Sequence, residues 1–362
     1  MISRKATRRI KLGKAEVGGG APVSVQTMTK TDTHDVEATV GQIRKVRLSG
    51  CDIVRVAVAD MDAVKALEKI CARVDIPVIA DIHFDHRLAL GAIGAGVDGL
   101  RINPGNIGDA DAVREIVRAA RDRMAPIRVG VNGGSLEKDI AAKHGGPVPG
   151  ALVESALRHV RILEELDYRE IKISVKASSV LATVAAYRSL SSATDYPLHL
   201  GVTEAGTFLA GTVRSSAAIG TLLMEGIGDT IRVSLTDTPE REVKVGLELL
   251  RSLGLREPGP SVISCPTCGR TVVDVAGTAM ALEEELETYY KAVPEAVKPV
   301  VAVMGCMVNG PGEAGEADIA LAGGKGKFAL YVGGEYSLTV SETDAVAAVM
   351  EEVKRFAGRK NG

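Results

Sequence analysis

Gly99-Leu100-Arg101-Ile102, a polar turn, the amphipathic stretch Ala110 to Arg123, and then Ile127-Arg128-Val129-Gly130-Val131 follow one another along the chain. Short Val/Ile-rich runs on either side of apolar residues at helical spacing read as strand, helix, strand. Two consecutive strands joined through a helix lie parallel, with a right-handed crossover. The same alternation extends outward from Pro22 to about Gly254. Its other runs are Val23-Ser24-Val25-Gln26, Ile53-Val54-Arg55-Val56-Ala57-Val58 and Val78-Ile79-Ala80-Asp81, then Ile171-Lys172-Ile173-Ser174-Val175, Leu198-His199-Leu200-Gly201-Val202 and Ile231-Arg232-Val233-Ser234-Leu235. Helices such as Ala63 to Arg73 and Glu240 to Leu253 lie between or after them. Eight units in roughly 235 residues predict a TIM (β/α)8 barrel, which typically takes about 250. An open doubly wound sheet is the other α/β arrangement, but no Gly-x-Gly-x-x-Gly follows the first strand. Residues 10–20 read as a hairpin plugging the barrel's bottom.

In such a barrel the chemistry sits at the C-terminal ends of the strands. Those ends carry Gln26-Thr27-Met28-Thr29, Arg55, Asp81 with His83, Arg101 with Asn103, and Arg128 with Asn132. They continue with Ser174 and Lys176, Thr203-Glu204, and Arg232 with Ser234 and Thr236. Cations from at least four strands meet few carboxylates, Asp81 and Glu204 foremost. Converging guanidinium and ammonium groups repel unless an anion joins them, and phosphate or diphosphate suits them. Arg55 and Arg101 could instead pair with Asp81 as scaffold; for the whole set the anion site is the better reading. A lone histidine is usually a satisfied buried one, but His83 beside Asp81 is a candidate for orienting or acid–base work. Cys51 and Cys71 read as small buried hydrophobes.

Gly254-Leu255-Arg256-Glu257-Pro258-Gly259-Pro260 breaks helix and strand alike. The expected division is a barrel over 1–254, a linker over 255–261 and a small α+β domain over 262–362. That last domain should hold a helix from Thr278 to Lys291, strands at Val300-Val303, Asp318-Leu321 and Phe328-Val332, and a final helix from Glu342 to Phe356. Gly323-Gly324-Lys325-Gly326-Lys327 has a phosphate cradle's composition but not its pattern, and reads as a hairpin turn. Cys265-Pro266-Thr267-Cys268 and Cys306 offer three thiolates, with two cysteines one helical turn apart and the third from a distant loop. Glu313, after Gly310-Pro311-Gly312, is the candidate fourth ligand, a hard oxygen that a soft centre would hold weakly. A closed zinc site wants four Cys or His, and no histidine follows Cys268. A [4Fe–4S] cluster also normally takes four thiolates, but with three one iron is left open for substrate, and pairing with the phosphate-lined mouth favours that reading. A redox disulfide leaves Cys306 and Glu313 unexplained.

The 362 residues are 46% hydrophobic with a net charge of −2, so nothing marks the whole surface for nucleic acid or an anionic membrane. No run approaches the ~20 apolar residues that span a bilayer. Five cysteines form no small-domain disulfide framework, and no signal-length apolar run follows the basic N-terminus, so a cytoplasmic location is expected.

Several stretches together resemble the 4-hydroxy-3-methylbut-2-enyl diphosphate synthase family in its short, two-domain bacterial form. They are Ser24-Val25-Gln26-Thr27-Met28-Thr29, Asp81-Ile82-His83-Phe84-Asp85, Arg101-Ile102-Asn103-Pro104-Gly105-Asn106 and Arg128 through Glu137. Leu198 through Gly206, Cys265 through Arg270 and Gly305 through Glu313 complete the set. The resemblance implies reductive ring opening of 2-C-methyl-D-erythritol 2,4-cyclodiphosphate with loss of water, in the methylerythritol phosphate route to isoprenoids. Two electrons would arrive singly from reduced flavodoxin or ferredoxin. By that similarity Cys265, Cys268, Cys306 and Glu313 hold a [4Fe–4S] cluster. Arg55, Arg101, Arg128, Asn132, Lys176 and Ser234 match substrate-binding positions, Glu204 matches an acid–base candidate, and Asp81 and His83 line the same pocket. Arg128 lies early in its strand, which sets it apart from the others. Glu204 could lend the proton that removes hydroxide as water if enclosure raises its pKa. A pterin- or corrinoid-type methyltransferase barrel, or a zinc-stabilised interaction module on a barrel, would leave part of this set without a task.

Reach along the chain predicts a dimer. The last barrel helix runs back about 20 Å to the bottom face, and a linker of about seven residues spans at most roughly 25 Å. The second domain therefore serves the barrel of a partner in a head-to-tail homodimer.

Overall fold

The protein is described from a computed structural model, covering residues 2–257, 259, 261–293, 295–307 and 317–358. Two compact units divide it, Met1–Arg256 and Glu257–Gly362.

The first unit opens with a hairpin, β1 (Ile10–Leu12) and β2 (Ala15–Val17). Eight parallel strands follow: β3 (Ser24–Met28), β4 (Ile53–Ala57), β5 (Val78–Asp81), β6 (Gly99–Ile102), β7 (Ile127–Asn132), β8 (Ile171–Lys176), β9 (His199–Leu200) and β10 (Thr230–Ile231). Neighbours pair in order from β3 to β8, β10 joins β9 to β3, and a bridge between Ile173 and Leu198 closes the ring. This is the TIM barrel expected from the alternation. Asp35, Asp60, Asp85 and Asp109 each accept a backbone N–H at the start of the next helix, marking where strand-end loops turn into helices. Ile10, Leu12 and Val17 of the hairpin pack against Ile53 and Ile79, at the entering ends of β4 and β5. The hairpin covers the bottom, and a ligand is expected at the C-terminal end.

The seventh and eighth barrel strands are shorter than their apolar runs, two residues each instead of five. The backbone beyond them finds partners outside the ladder. Thr203 N–H donates to Ala177 O at 3.1 Å, Thr236 N–H to Gly206 O at 3.0 Å, and Leu235 N–H to a Glu242 carboxylate oxygen at 3.0 Å. Glu204 and Ser234 therefore ride on loops.

The second unit is a five-stranded sheet in the order β11 (Ser261–Ser264), β12 (Val300–Met304), β13 (Ile319–Gly324), β14 (Lys327–Val332), β15 (Glu335–Ser341). The first three strands are parallel and the last two antiparallel. Val275–Ala292 and Ala345–Ala357 form its helices, packed around a core that includes Leu282, Leu286, Val303, Leu321, Phe328 and Val349. Gly323 to Lys327 makes the tight turn between β13 and β14, as its composition suggested. Strands β11 and β15 carry little sequence signal. The first is four residues directly after the Pro/Gly linker, and the second is exposed from Glu335 to Thr339. An edge strand of that kind needs no alternating apolar face.

Candidate active site

Strand residues alternate inward and outward, so Arg128, Gly130 and Asn132 on β7, and Lys172, Ser174 and Lys176 on β8, form two rows facing the barrel interior. At the C-terminal mouth an opening of about 500 Å³ is lined by Arg55, Arg101, Arg128, Asn132, Lys176, Glu204 and Ser234, with Ser174, Thr203 and Arg232 beside them. The side chains expected to bind substrate thus share one cavity. Two glycines make room for them. A Cβ on Gly130 would lie 2.8 Å from Arg101 Nε, and one on Gly201 would lie 2.8 Å from Lys176 Nζ.

Asp81 sits beneath this mouth, buried, with Arg101 Nη1 at 3.4 Å and Arg55 Nε at 3.7 Å. Burial pushes its carboxyl up, but the fields of Arg55, Arg101 and Arg128 outweigh that and hold it below the usual range. Arg101 Nη2 donates to Gly130 O at 2.9 Å, and Nη1 lies 2.8 Å from His83 Nε2. The same Nη1 lies 3.1 Å from Nδ1, over the ring and not along one lone pair, and burial followed by the Arg101 charge lowers the pKa of His83. Arg55 donates to Met28 Sδ at 3.0 Å. The scaffold role therefore holds for the pairing of Arg55 and Arg101 with Asp81.

It does not hold for Arg128 or Lys176. Among the described residues no carboxylate pairs with either. Arg128 is 3% exposed, and its Nε and Nη1 find no hydrogen-bond partner among the described residues. Burial, then neighbouring cations, pushes the pKa of both groups well down. A buried cation pair without a counter-ion is costly, and an anion in the mouth would relieve it. Arg128 lies early in its strand yet still reaches the cavity. Glu204 is exposed, with φ of 54°, so the barrel unit alone does not give it the enclosure expected for a proton donor. Its short strand ends too soon to draw it inside.

In the second unit β11 runs directly into Cys265 and β12 ends just before Cys306. Their register sets Ser264 beside Val303, so both cysteines leave the same edge of one parallel pair. Gly305 N–H donates to Cys265 Sγ at 3.2 Å, and Cys268 N–H to Thr271 Oγ1 at 3.0 Å. Cys265 to Cys268 is not a helical turn: it is loop, with Thr267 at φ 64°. Cys268 is exposed, and Cys265 and Cys306 are half-buried. The three thiols were expected to converge on one centre, but among the described residues no three His, Cys, Asp or Glu side chains gather as metal ligands. Glu313 lies outside the described residues. The donors nevertheless suit an iron–sulfur group in kind and place: soft sulfurs, accessible, on one sheet edge. Cys51 is buried as expected, Cys71 is only half-buried against the core, and burial pushes each thiol up to about 12.

Residues 7–247 match the GcpE TIM-barrel domain and residues 261–355 the GcpE protein C-terminal domain. The chain belongs to the GcpE family. It is 56% identical to 4-hydroxy-3-methylbut-2-en-1-yl diphosphate synthase (flavodoxin) of Thermodesulfovibrio yellowstonii, over 98% of this chain and 100% of that one. Identity is 54% to the protein of the same name from Clostridium perfringens, over 98% of this chain and 99% of that one. Among solved structures, dihydropteroate synthase of Yersinia pestis is similar at a TM-score of 0.50 and 11% identity, covering 69% of this chain and 98% of that one. That likeness concerns the barrel fold alone.

Some polar residues in this GcpE barrel escaped the sequence reading. Glu242, 1% exposed, takes Arg232 Nη2 at 3.1 Å and Nε at 3.2 Å, and accepts from Thr27 Oγ1 at 2.7 Å. In the sequence it looks like an ordinary acid in a helix's first turn, so nothing betrayed it. Arg232 in turn donates to Ser234 Oγ, which fixes that hydroxyl. Lys172 and His199 lie fully inside the barrel below the mouth. The alternation Lys172, Ser174, Lys176 was a readable signal for the first of them.

Proposed function

We propose that this GcpE chain catalyses the reductive ring opening and dehydration of 2-C-methyl-D-erythritol 2,4-cyclodiphosphate to 4-hydroxy-3-methylbut-2-enyl diphosphate, an oxidoreductase step of isoprenoid biosynthesis. The observation that carries this is the under-neutralised barrel mouth, where Arg128 and Lys176 are buried without a carboxylate partner among the described residues. A cyclic diphosphate supplies the missing negative charge. Arg55, Arg101, Arg128 and Lys176 bind it, with Asn132 and Ser234 as hydrogen-bonding partners, and stabilise charge developing on the phosphate oxygen as the carbon–oxygen bond breaks. Asp81 keeps Arg55 and Arg101 aimed at the mouth. His83, in contact with Arg101, orients the same end. Glu204, on the loop at the mouth, is the acid–base candidate for the step in which hydroxide leaves as water.

Cys265, Cys268, Cys306 and Glu313 hold a [4Fe–4S] cluster. When bound, that cluster supplies low-potential electrons one at a time. Reduced flavodoxin, which the relatives' names carry, or ferredoxin is the donor. Among the described residues no helix is long and apolar enough to cross a membrane, and the cytoplasm is the proposed location.

The cluster domain, joined through residues 255–261, serves a partner's barrel in a head-to-tail homodimer. Support comes from the barrel's own exit: the last helix, Pro239–Ser252, returns to the bottom face, and Arg256 pairs there with Asp52, the residue before β4. Mixing Cys306→Ala chains with Glu204→Ala chains tests both the chemistry and the sharing. Each is inactive alone; random mixed dimers should recover on the order of a quarter of wild-type ring-opening activity, because one of two sites is intact in half the dimers. No recovery overturns the shared site, and no ring opening by iron-loaded wild type overturns the reaction.

A further inference from the structure

We infer that a second pocket beside the mouth is an apolar subsite for the methyl-branched carbon end of the cyclic diphosphate, with Phe84 as its outer wall; this rests on the reading of the mouth given above. The pocket, which opens to solvent, adjoins the mouth through Arg101 and Asn132, which line both. Its floor is Ile82 and Ile107, each 1% exposed, and Asn103 and Asn106 supply polar atoms at its side. Cations take the phosphates on one side of Arg101, and the apolar floor begins on the other.

Phe84 itself is held in an unfavourable way. Its φ is 65°, which for a bulky side chain is an outlier, and Asp85 N–H donates to His83 O at 2.8 Å across it. That three-residue turn with positive φ is rare and strained. Asp85 then caps the helix beginning at His86, accepting from Arg87 N–H at 2.9 Å, which anchors the strained residue. The ring is 77% exposed, 5.8 Å from the His83 ring. A large apolar ring so exposed adds little to the core of its own unit. Strain retained at such a place points to a ligand the ring covers, and covering it removes water from the end where the bond breaks.

Calorimetry on anaerobically purified full-length protein without reductant tests this, using the cyclic diphosphate and inorganic pyrophosphate as separate probes. Phe84→Ala should weaken the cyclic diphosphate about tenfold, the scale of a small apolar contact, and change pyrophosphate by less than about twofold. Phe84→Tyr should bind both as wild type does. Phe84→Gly should lose the same affinity while raising the barrel's Tm by about 2–4 °C, because glycine accepts positive φ without strain. Wild-type affinity for the cyclic diphosphate in both the Ala and Gly variants overturns the inference, as does equal weakening of both probes. Failure of wild type to bind either probe overturns the anion-binding mouth instead.

Discussion

In the barrel, Arg101, Arg128 and Lys176 are buried and fixed by strands that are hydrogen-bonded on both sides. In the second unit Cys265, Cys268 and Cys306 stand half-buried or exposed, on loops that leave the ends of two strands. Both regions gather side chains of one kind. The barrel can force like charges together because closed ladders and plugged hydrophobic packing supply the energy that repulsion removes. A loop has no such reserve, and among the described residues its donors are not gathered. The barrel mouth is therefore the organised region of the two.

The strongest way to break that contrast is at the cysteines. Cys306→Ala should remove the cluster and essentially all ring-opening activity, with iron falling from about four per chain. The barrel's thermal transition should stay where it is; a large shift there would mean that the cysteine edge also supports the barrel. Calorimetry and iron analysis read both.

Arg128→Met probes the opposite region. Pyrophosphate affinity should drop about 100-fold, in the range for truncating a buried charge contact. The free barrel should become more stable by about 1–4 kcal/mol, since a buried cation without a carboxylate partner is replaced by an apolar chain. Loss of stability would mean that Arg128 has a partner holding it in the unliganded barrel.

Asp81→Asn sharpens the comparison from the other side. It leaves Arg55 and Arg101 without their carboxylate, and unfolding in urea should show a loss of about 3–5 kcal/mol. The sign of the pH effect follows from the lowered pKa of Asp81. Its contribution is complete above the unfolded carboxyl pKa, near about 4, and is lost as pH falls through the lower folded value. Wild-type stability should therefore decline below about pH 4 through a component that Asp81→Asn lacks. An identical acid limb in both proteins would remove Asp81 from its place as the mouth's internal counter-charge.

Much of this was legible in the chain. Eight apolar runs alternating with helical periodicity allowed only a few architectures, and residues at strand ends could be read as a mouth because barrel topology puts them there. Arg55, Arg101, Asn132, Lys176 and Ser234 were found that way. Glu242 was not, because a first-turn glutamate is exposed in most helices and only the packing of its helix against Thr27 and Arg232 buries it. Phe84 stood inside a quoted motif with no task, since a backbone turn of positive φ leaves no mark in residue types. The length of the two short barrel strands also escaped, because apolarity continues past the point where hydrogen bonding switches to loops.

What the sequence by itself determined is the period, the order of the strands and the kinds of donor at each end, since these depend on neighbours along the chain. Tertiary structure alone decided which charges are neutralised. Asp81 serves Arg55 and Arg101, Glu242 serves Arg232, and among the described residues Arg128 and Lys176 have no carboxylate partner. Coulombic balance depends on distances of a few ångströms between strands far apart in sequence, and only the closed barrel sets those distances.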